Sequence, residues 1–352
     1  VDTVVSVSQL IERGGKRELR TRAADAQISV AEAQVLDALR TQVFQLRQAY
    51  IQGLAARANL EVALSNRASL DRTEALLQRQ VQEGAIPEGD LIRFQASRLV
   101  FEQDVTTNAQ AYAVAVANVA VFVAEDAAAF AARQRRTHSP VAFDLRGRLE
   151  AAQSLGIGRS ELIAAIANRP DVVAATRQAA AAQANRQLAE AGRSRDVTLG
   201  LGVGRTRLEQ NVPGGYAANS QANFQLSVPI FQRRIIEGNI GVATAQASQA
   251  EAQARLATVQ ARADFAAAWA TMEQARALRT LYDSGALRRA QEAYEIAESA
   301  YLAGGRSLLE VLDALRTLNQ TRMQANQARA AYLTALAQLE QATGVVGLLP
   351  RL

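Results

Sequence analysis

Apolar positions along this chain follow two periods. From about Glu18 to Gln82, and again from about Asn239 to Leu302, they recur at steps of three and four, as in Leu39, Val43, Leu46 and Tyr50, and no proline interrupts either tract. That spacing lays a narrow apolar stripe along one face of an α-helix, and the alanines beside it let a second helix approach closely. At about 1.5 Å per residue, each tract predicts a rod on the order of 90 Å long. The other period is two. In "RDVTLGLGVGRTR", Val197, Leu199, Leu201 and Val203 alternate with Thr198, Gly200, Gly202 and Gly204; in "QANFQLSVPIF", Ala222, Phe224, Leu226, Val228 and Ile230 alternate with Asn223, Gln225 and Ser227. Alternation predicts β-strands with one apolar and one small or polar face.

The long tracts break at "VQEGAIPEGDLIR" (Val81 to Arg93) and "YLAGGRSLLEVLD" (Tyr301 to Asp313). Gly84, Pro87 and Gly89 in the first stretch, and Gly304 with Gly305 in the second, cannot continue a helix cheaply, so each stretch predicts a turn between two antiparallel helices. The two stretches also match each other. An offset of 220 residues lays Gly84 on Gly304, Asp90 on Glu310 and Ala111-Tyr112 on Ala331-Tyr332. An offset one residue shorter lays "AEAQ" at Ala31 on "AEAQ" at Ala250, and Tyr50 on Trp269. The shared spacing points to an internal duplication far longer than a solenoid repeat. It divides the chain into a first repeat at 1–136, a connector at 137–158, a second repeat at 159–345 and a tail at 346–352.

Composition narrows the chemistry. With 9 Phe, 7 Tyr and 1 Trp in 352 residues, an aromatic-rich core is not expected. Cys is absent and His138, beside Ser-Pro in the connector, is the single histidine, so a disulfide, a thiolate centre or a selective site for borderline metals has almost no donors. Nothing pairs a nucleophile with a base or two carboxylates at a workable spacing, so no catalytic residue and no cofactor is assigned. The formal charge of +5 comes from arginines interleaved with Asp and Glu, which does not describe a nucleic-acid surface. Gly200, Gly202 and Gly204 lack the following helix of a dinucleotide loop, and "GGKR" at Gly14 lacks the spacing of a phosphate loop. The chain begins at "VDTVVSVSQ", without a Met or a signal-like segment, and is expected to be a processed or truncated product.

No apolar run reaches the roughly 18 residues of a membrane helix. The strands are another matter. Their apolar face has about the 9 to 11 residues that cross a bilayer as a tilted strand, and "LEQNVPGGYAANS" between them reads as a long polar outer loop. Two strands alone cannot span lipid, because their edges leave backbone groups unsatisfied, so a barrel closed by other chains is expected. A soluble coiled-coil scaffold or a periplasmic adaptor remains the alternative for the helices alone.

Two copies of strand, long helix, turn and long helix resemble the TolC family of outer-membrane efflux ducts over essentially the whole chain. The closest local marks are "RPD" at Arg169 to Asp171, "SVPIF" at Ser227 to Phe231, and "YLAGGRSLLEVLDAL". "SQLIERGGKRELR" at Ser8 to Arg20 is similar to the heavy-metal cation branch, with Leu10 where that branch has proline. The resemblance implies a mostly α fold with membrane β-strands: long helical hairpins forming a periplasmic α-barrel, plus strands of a trimeric transmembrane β-barrel. It implies four strands per chain, leaving one strand and its preceding helix ahead of Val1. It further implies a homotrimer in outer-membrane lipid of a Gram-negative bacterium, a passive conduit served by a periplasmic adaptor and a proton-driven inner-membrane pump of the RND type. Tyr301, Arg306, Glu310 and Asp313 match the family's constriction at the tunnel entrance, apart from Glu310 where Asp is common. Gly84, Pro87, Asp90, Gly304 and Gly305 fall at the tips that would contact the adaptor. Metal cations are the expected cargo, with no resident metal site.

Overall fold

The computed structural model describes residues 3–123, 131–132, 135, 143–150, 156–209 and 216–350. Their order is β1 (Thr3–Ile11), α1 (Lys16–Gln82), α2 (Glu88–Phe122), α3 (Arg159–Ala165), a 3-10 turn at Ile166–Asn168, α4 (Pro170–Ala191), β2 (Val197–Glu209), β3 (Tyr216–Ser227), α5 (Arg233–Leu281), a π turn at Tyr282–Ala286, α6 (Leu287–Leu302) and α7 (Leu308–Thr343). They form two compact units, one of residues 1–37 with 170–260 and one of 38–169 with 261–352, so each sequence repeat contributes to both. His138 and the start of the connector lie outside the described residues.

In the first unit the strands make one antiparallel sheet in the order β1-β2-β3. The alternation in sequence sets its register: Val7, Leu201 and Phe224 share one row, and Ser6, Gly202 and Asn223 the next. The connection between β2 and β3 is shorter than the sequence suggested. Both strands extend into "LEQNVPGGYAANS", leaving only 210–215 between them, whereas Val228 and Ile230 fall past the end of β3. Longer cross-strand pairing satisfies backbone groups that a loop would leave to water. Beside the sheet, Ala182, Ala247 and Ala250 form a small buried cluster with Ala179, which brings α4 and α5 close together. Lys16 donates to the Ser194 carbonyl at 2.6 Å and to Asp196 at 2.8 Å, so "GGKR" is the turn that fastens β1 and α1 to the start of β2.

The second unit is built from the helical hairpins. Its described buried residues fall into clusters along the helices: Leu70, Leu77, Phe94, Phe101, Leu312 and Leu315 near the turns, then Ile51 with Leu333 and Ala337, and Leu54 with Tyr112, Val116 and Leu145. Polar pairs punctuate the stripe between α1 and α7. Asn66 donates to Asn319 at 2.7 Å, and one heptad away Asn326 donates to Asn59 at 3.1 Å. Asn319 also donates to Asp104 of α2 at 3.1 Å, so the buried amide ties α7 to both helices of the first hairpin. Polar pairs set into an apolar stripe fix register, most of all the buried Asn66–Asn319 pair, since sliding by one turn would strand its donors.

The second long tract is not one regular helix. Its π turn, with Gly285 at φ 154°, lies between the region of 219-residue offset and the region of 220-residue offset. One inserted residue in the second repeat, absorbed as a π turn, accounts for the slip between the two offsets. The turn presents Asp283 to Arg279 at 3.1 Å and to Arg329 of α7 at 2.7 Å. At the other end of α7, Arg169 of the "RPD" stretch is buried, donating to the Ala342 carbonyl at 3.1 Å and pairing with Asp264 at 2.8 Å. Arg40 donates to the Gln341 carbonyl and Arg47 pairs with Glu340. Three cations thus meet the negative end of the α7 dipole.

Candidate functional site: hairpin tips and strand sheet

The two turns have the same backbone chemistry. Gly84 and Gly304 adopt φ 73° and 75°. The Ala85 N–H reaches the Gln80 carbonyl at 2.8 Å, and the Gly305 N–H reaches the Ala300 carbonyl at 2.9 Å. These are the six-to-one bonds of a Schellman motif, which a left-handed glycine closes. Pro87 and Ser307 then stand in extended backbone as the N-caps of α2 and α7. Gly89, read from sequence as part of the break, is helical and lies in the first turn of α2, because Pro87 with its fixed φ has already started the helix.

Tyr301 is half-buried at the end of α6, packed with Ile86, Leu91 and Leu308 against the cluster that holds Phe94 and Leu312. Burial, and then the charge of Asp90, push its hydroxyl up from the usual tyrosine range. Among the described residues, Arg306 reaches no neighbouring helix of its own chain. It pairs with Glu310 at 2.8 Å within its own turn, where Ser307 also donates to Glu310 at 3.3 Å. Asp90 has Arg93 at 3.7 Å. Asp313 is exposed one turn beyond Glu310, with no ion pair among the described residues. At each of Gly84, Gly89 and Gly304 a side chain would meet open space.

Sequence reasoning missed three features. Gly53 interrupts an otherwise Ala-rich helix because Leu145 sits where its Cβ would be. The Asn pairs went unread, although Asn59 and Asn66 are a heptad apart, as are Asn319 and Asn326. Glu340, buried in α7, accepts from the backbone N–H groups of Gly347 and Leu349, each at 2.8 Å, and so holds the tail against the helix. A cleft of 670 Å³ beside Gly147 is rich in charge, but Arg57 has Glu61 at 3.0 Å, Arg148 has Glu150 at 3.8 Å, and Arg279 and Arg329 share Asp283. Its charges satisfy one another. Among the described residues no group of three or more His, Cys, Asp or Glu could hold a metal ion, and no helix is long and apolar enough to cross a membrane.

Val5, Val7, Leu201, Val203, Phe224 and Leu226 project from one face of the sheet and are between 59% and 71% exposed. A contiguous apolar sheet face of this kind marks contact with lipid or protein. Residues 162–345 match the family described as Outer membrane efflux protein. The chain belongs to the outer membrane efflux protein family. This family member is 26% identical over 297 residues to the pyoverdine export outer membrane protein OpmQ of Pseudomonas putida, a match covering 84% of this chain and 60% of OpmQ. It is 27% identical over 348 residues to the cobalt-zinc-cadmium resistance protein CzcC of Cupriavidus metallidurans, covering 96% of this chain and 74% of CzcC. The chain therefore spans only part of the length of either relative. The crystal structure of CusC, described with transmembrane channel formation, has a TM-score of 0.75 at 18% identity, covering 97% of this chain and 77% of that one. The TolC-type fold expected from the sequence is the fold observed, and membership of the outer membrane efflux protein family places the protein in the outer membrane.

Proposed function

We propose that the chain is the outer-membrane duct of a tripartite efflux system, a passive conduit with no catalytic step, assembled as a homotrimer. The observation that carries this reading is the exposed apolar face of the sheet, whose outer strands β1 and β3 each pair on one side only among the described residues. Such edges are stable in lipid only when the sheet closes into a barrel, and neighbouring copies supply the closure. A soluble scaffold or a periplasmic adaptor would need no such face.

The hairpin tips are the surface that a periplasmic adaptor caps, and Tyr301, Arg306, Glu310 and Asp313 form the constriction of the tunnel entrance. A proton-driven inner-membrane pump delivers the cargo. Heavy-metal cations are the cargo class, on the likeness to CzcC over nearly the whole chain. The full-length protein in detergent should run as a trimer by native mass measurement and open a channel in planar bilayers. Deleting its gene should sensitise cells to cobalt, zinc or cadmium. A stable monomer without conductance would overturn the duct. Normal metal tolerance with retained pyoverdine would instead transfer the cargo of OpmQ.

A further inference from the structure

The end of the sheet from which the helices leave is basic. β1 ends at Ile11 opposite Val197, and β3 ends at Ser227 opposite Thr198, so the segments leading to α1, α4 and α5 all lie at this end. Arg13, Arg17, Arg193, Arg195 and Arg234 fall in or beside those segments, all are exposed, and none has an ion pair among the described residues. The local acids are already occupied. Asp196 takes Lys16 at 2.8 Å and the Arg13 N–H at 3.0 Å, which hold its carboxyl below the usual range. Glu12 takes Arg20, Glu237 takes Arg233 at 2.9 Å, and Glu190 takes Arg186 at 3.5 Å. Glu18 is the exposed acid there without an ion pair among the described residues, so the balance stays positive.

Apolar side chains accompany the arginines. Ile230 and Ile235 are exposed, and Phe231 is 92% exposed, directly beyond the apolar strand face. A surface that only met water or a free anion would not need them. Exposed aromatic and aliphatic groups set among cations are the chemistry of a bilayer interface, where the apolar part enters the acyl boundary and the guanidinium groups bind phosphates.

We propose that this basic collar is a docking surface for anionic phospholipid headgroups in the leaflet that faces the periplasmic helices. The proposal rests on the reading of the sheet as part of an outer-membrane duct. The collar fixes the depth of the barrel: the strand face alone can slide along the membrane normal, whereas arginines joined to anionic headgroups at one end cannot follow without losing them.

The test uses the full-length trimer reconstituted into vesicles of phosphatidylcholine, with or without phosphatidylglycerol, and counts the lipid retained after extraction by native mass measurement. The wild type should retain phosphatidylglycerol over phosphatidylcholine by about tenfold, with the preference falling as salt rises. A variant combining Arg17→Gln, Arg193→Gln, Arg195→Gln and Arg234→Gln should insert and trimerise as before, yet retain the two lipids alike. The matching Arg→Lys variant should keep the preference, which separates loss of charge from loss of fold. Equal retention of both lipids by the wild type would overturn the proposal, as would an unchanged preference in the Gln variant. Stoichiometric uptake of inorganic phosphate by the lipid-free protein would assign the site to a free anion instead. Dissociation of the Gln trimer with its lipid preference intact would assign it to a subunit contact. Failure of the wild type to insert into phosphatidylcholine vesicles would overturn the duct itself, and the collar with it.

Discussion

Leu145 occupies the space in which a Cβ on Gly53 would lie. The residues around it are fastened to the first hairpin: the Tyr112 hydroxyl donates to Asp144 at 2.6 Å and accepts the Leu145 N–H at 3.0 Å, while Arg57 donates to the Leu145 carbonyl. Gly53→Ala therefore sets two effects against each other. Helix propensity favours Ala by about 1 kcal/mol, whereas forcing a methyl into a filled site costs about 1–3 kcal/mol. The clash should win because hydrogen bonds on both sides prevent Leu145 from backing away. A lowered thermal midpoint in detergent, with earlier proteolytic cleavage near residue 145, is the expected result; a raised midpoint would show that the segment yields freely.

The matched turns predict matched costs. Gly84→Ala and Gly304→Ala should each destabilise the hairpin by about 1–2 kcal/mol, because φ near 73° and 75° places a Cβ against the backbone. Gly89→Ala, inside α2, should have the opposite sign. In the proposed duct, bulk or charge at the tips does more: Gly84→Glu or Gly304→Glu should abolish export while the trimer persists, since the side chains enter open space where a partner would sit. Normal export by both variants, measured as metal tolerance of complemented cells, would remove the tips from adaptor contact.

The turns were legible in the sequence because glycine at a left-handed position and an N-cap leave a local signature, and the strands because alternation survives in short windows. The slip between the two offsets was visible too, but its cause was not: an extra residue can be absorbed by a loop, a kink or a π turn, and the structure uses the last, with Asp283 of that turn paired to Arg329 of α7. Gly53 acts through Leu145, Arg169 through the Ala342 carbonyl 173 residues away, and Glu340 through a tail beyond the end of its own helix, and no local pattern reports such partners. Among the residues proposed for the entrance, the sequence placed Glu310 and Asp313 one turn apart but could not say that Arg306 would turn back onto Glu310.

The first hairpin should also lose stability in acid. Arg98 of α2 meets Asp71, Glu74 and Glu102, at 3.0 Å for Glu102. The hydrogen bond from Gln95 and then those from Arg98 hold the Glu74 carboxyl below its ordinary value. A lowered folded-state pKa gives stability that is present above the unfolded value of about 4.3 and is lost as pH falls through the folded value. Because the pair is partly solvated, its contribution is about 1 kcal/mol. Arg98→Gln should thus lower the thermal midpoint at neutral pH, and lower it less at an acid pH below the folded value of Glu74, where that carboxylate has taken up its proton. An equal penalty at both pH values would mean that Arg98 acts through packing alone.

Glu310 and Asp313 lie one helical turn apart and both are exposed, so in a trimer they would form two acidic rings. The rings are not equivalent, because Arg306 at 2.8 Å offsets the charge of Glu310 and Asp313 has no such partner among the described residues. A unit-charge pair about 10 Å apart in water interacts by only about 0.4 kcal/mol, but several carboxylates in a narrow pore add up. Asp313→Ala should therefore reduce cation selectivity in planar bilayers more than Glu310→Ala does. Arg306→Ala, by baring Glu310, should increase it. Tyr301 acts differently: it is packed against the cluster that joins the two hairpins, so Tyr301→Ala should loosen the tip and raise conductance with little change in selectivity. If Arg306→Ala leaves selectivity unchanged and Tyr301→Ala leaves conductance unchanged, these side chains are solvated turn residues and the constriction lies elsewhere.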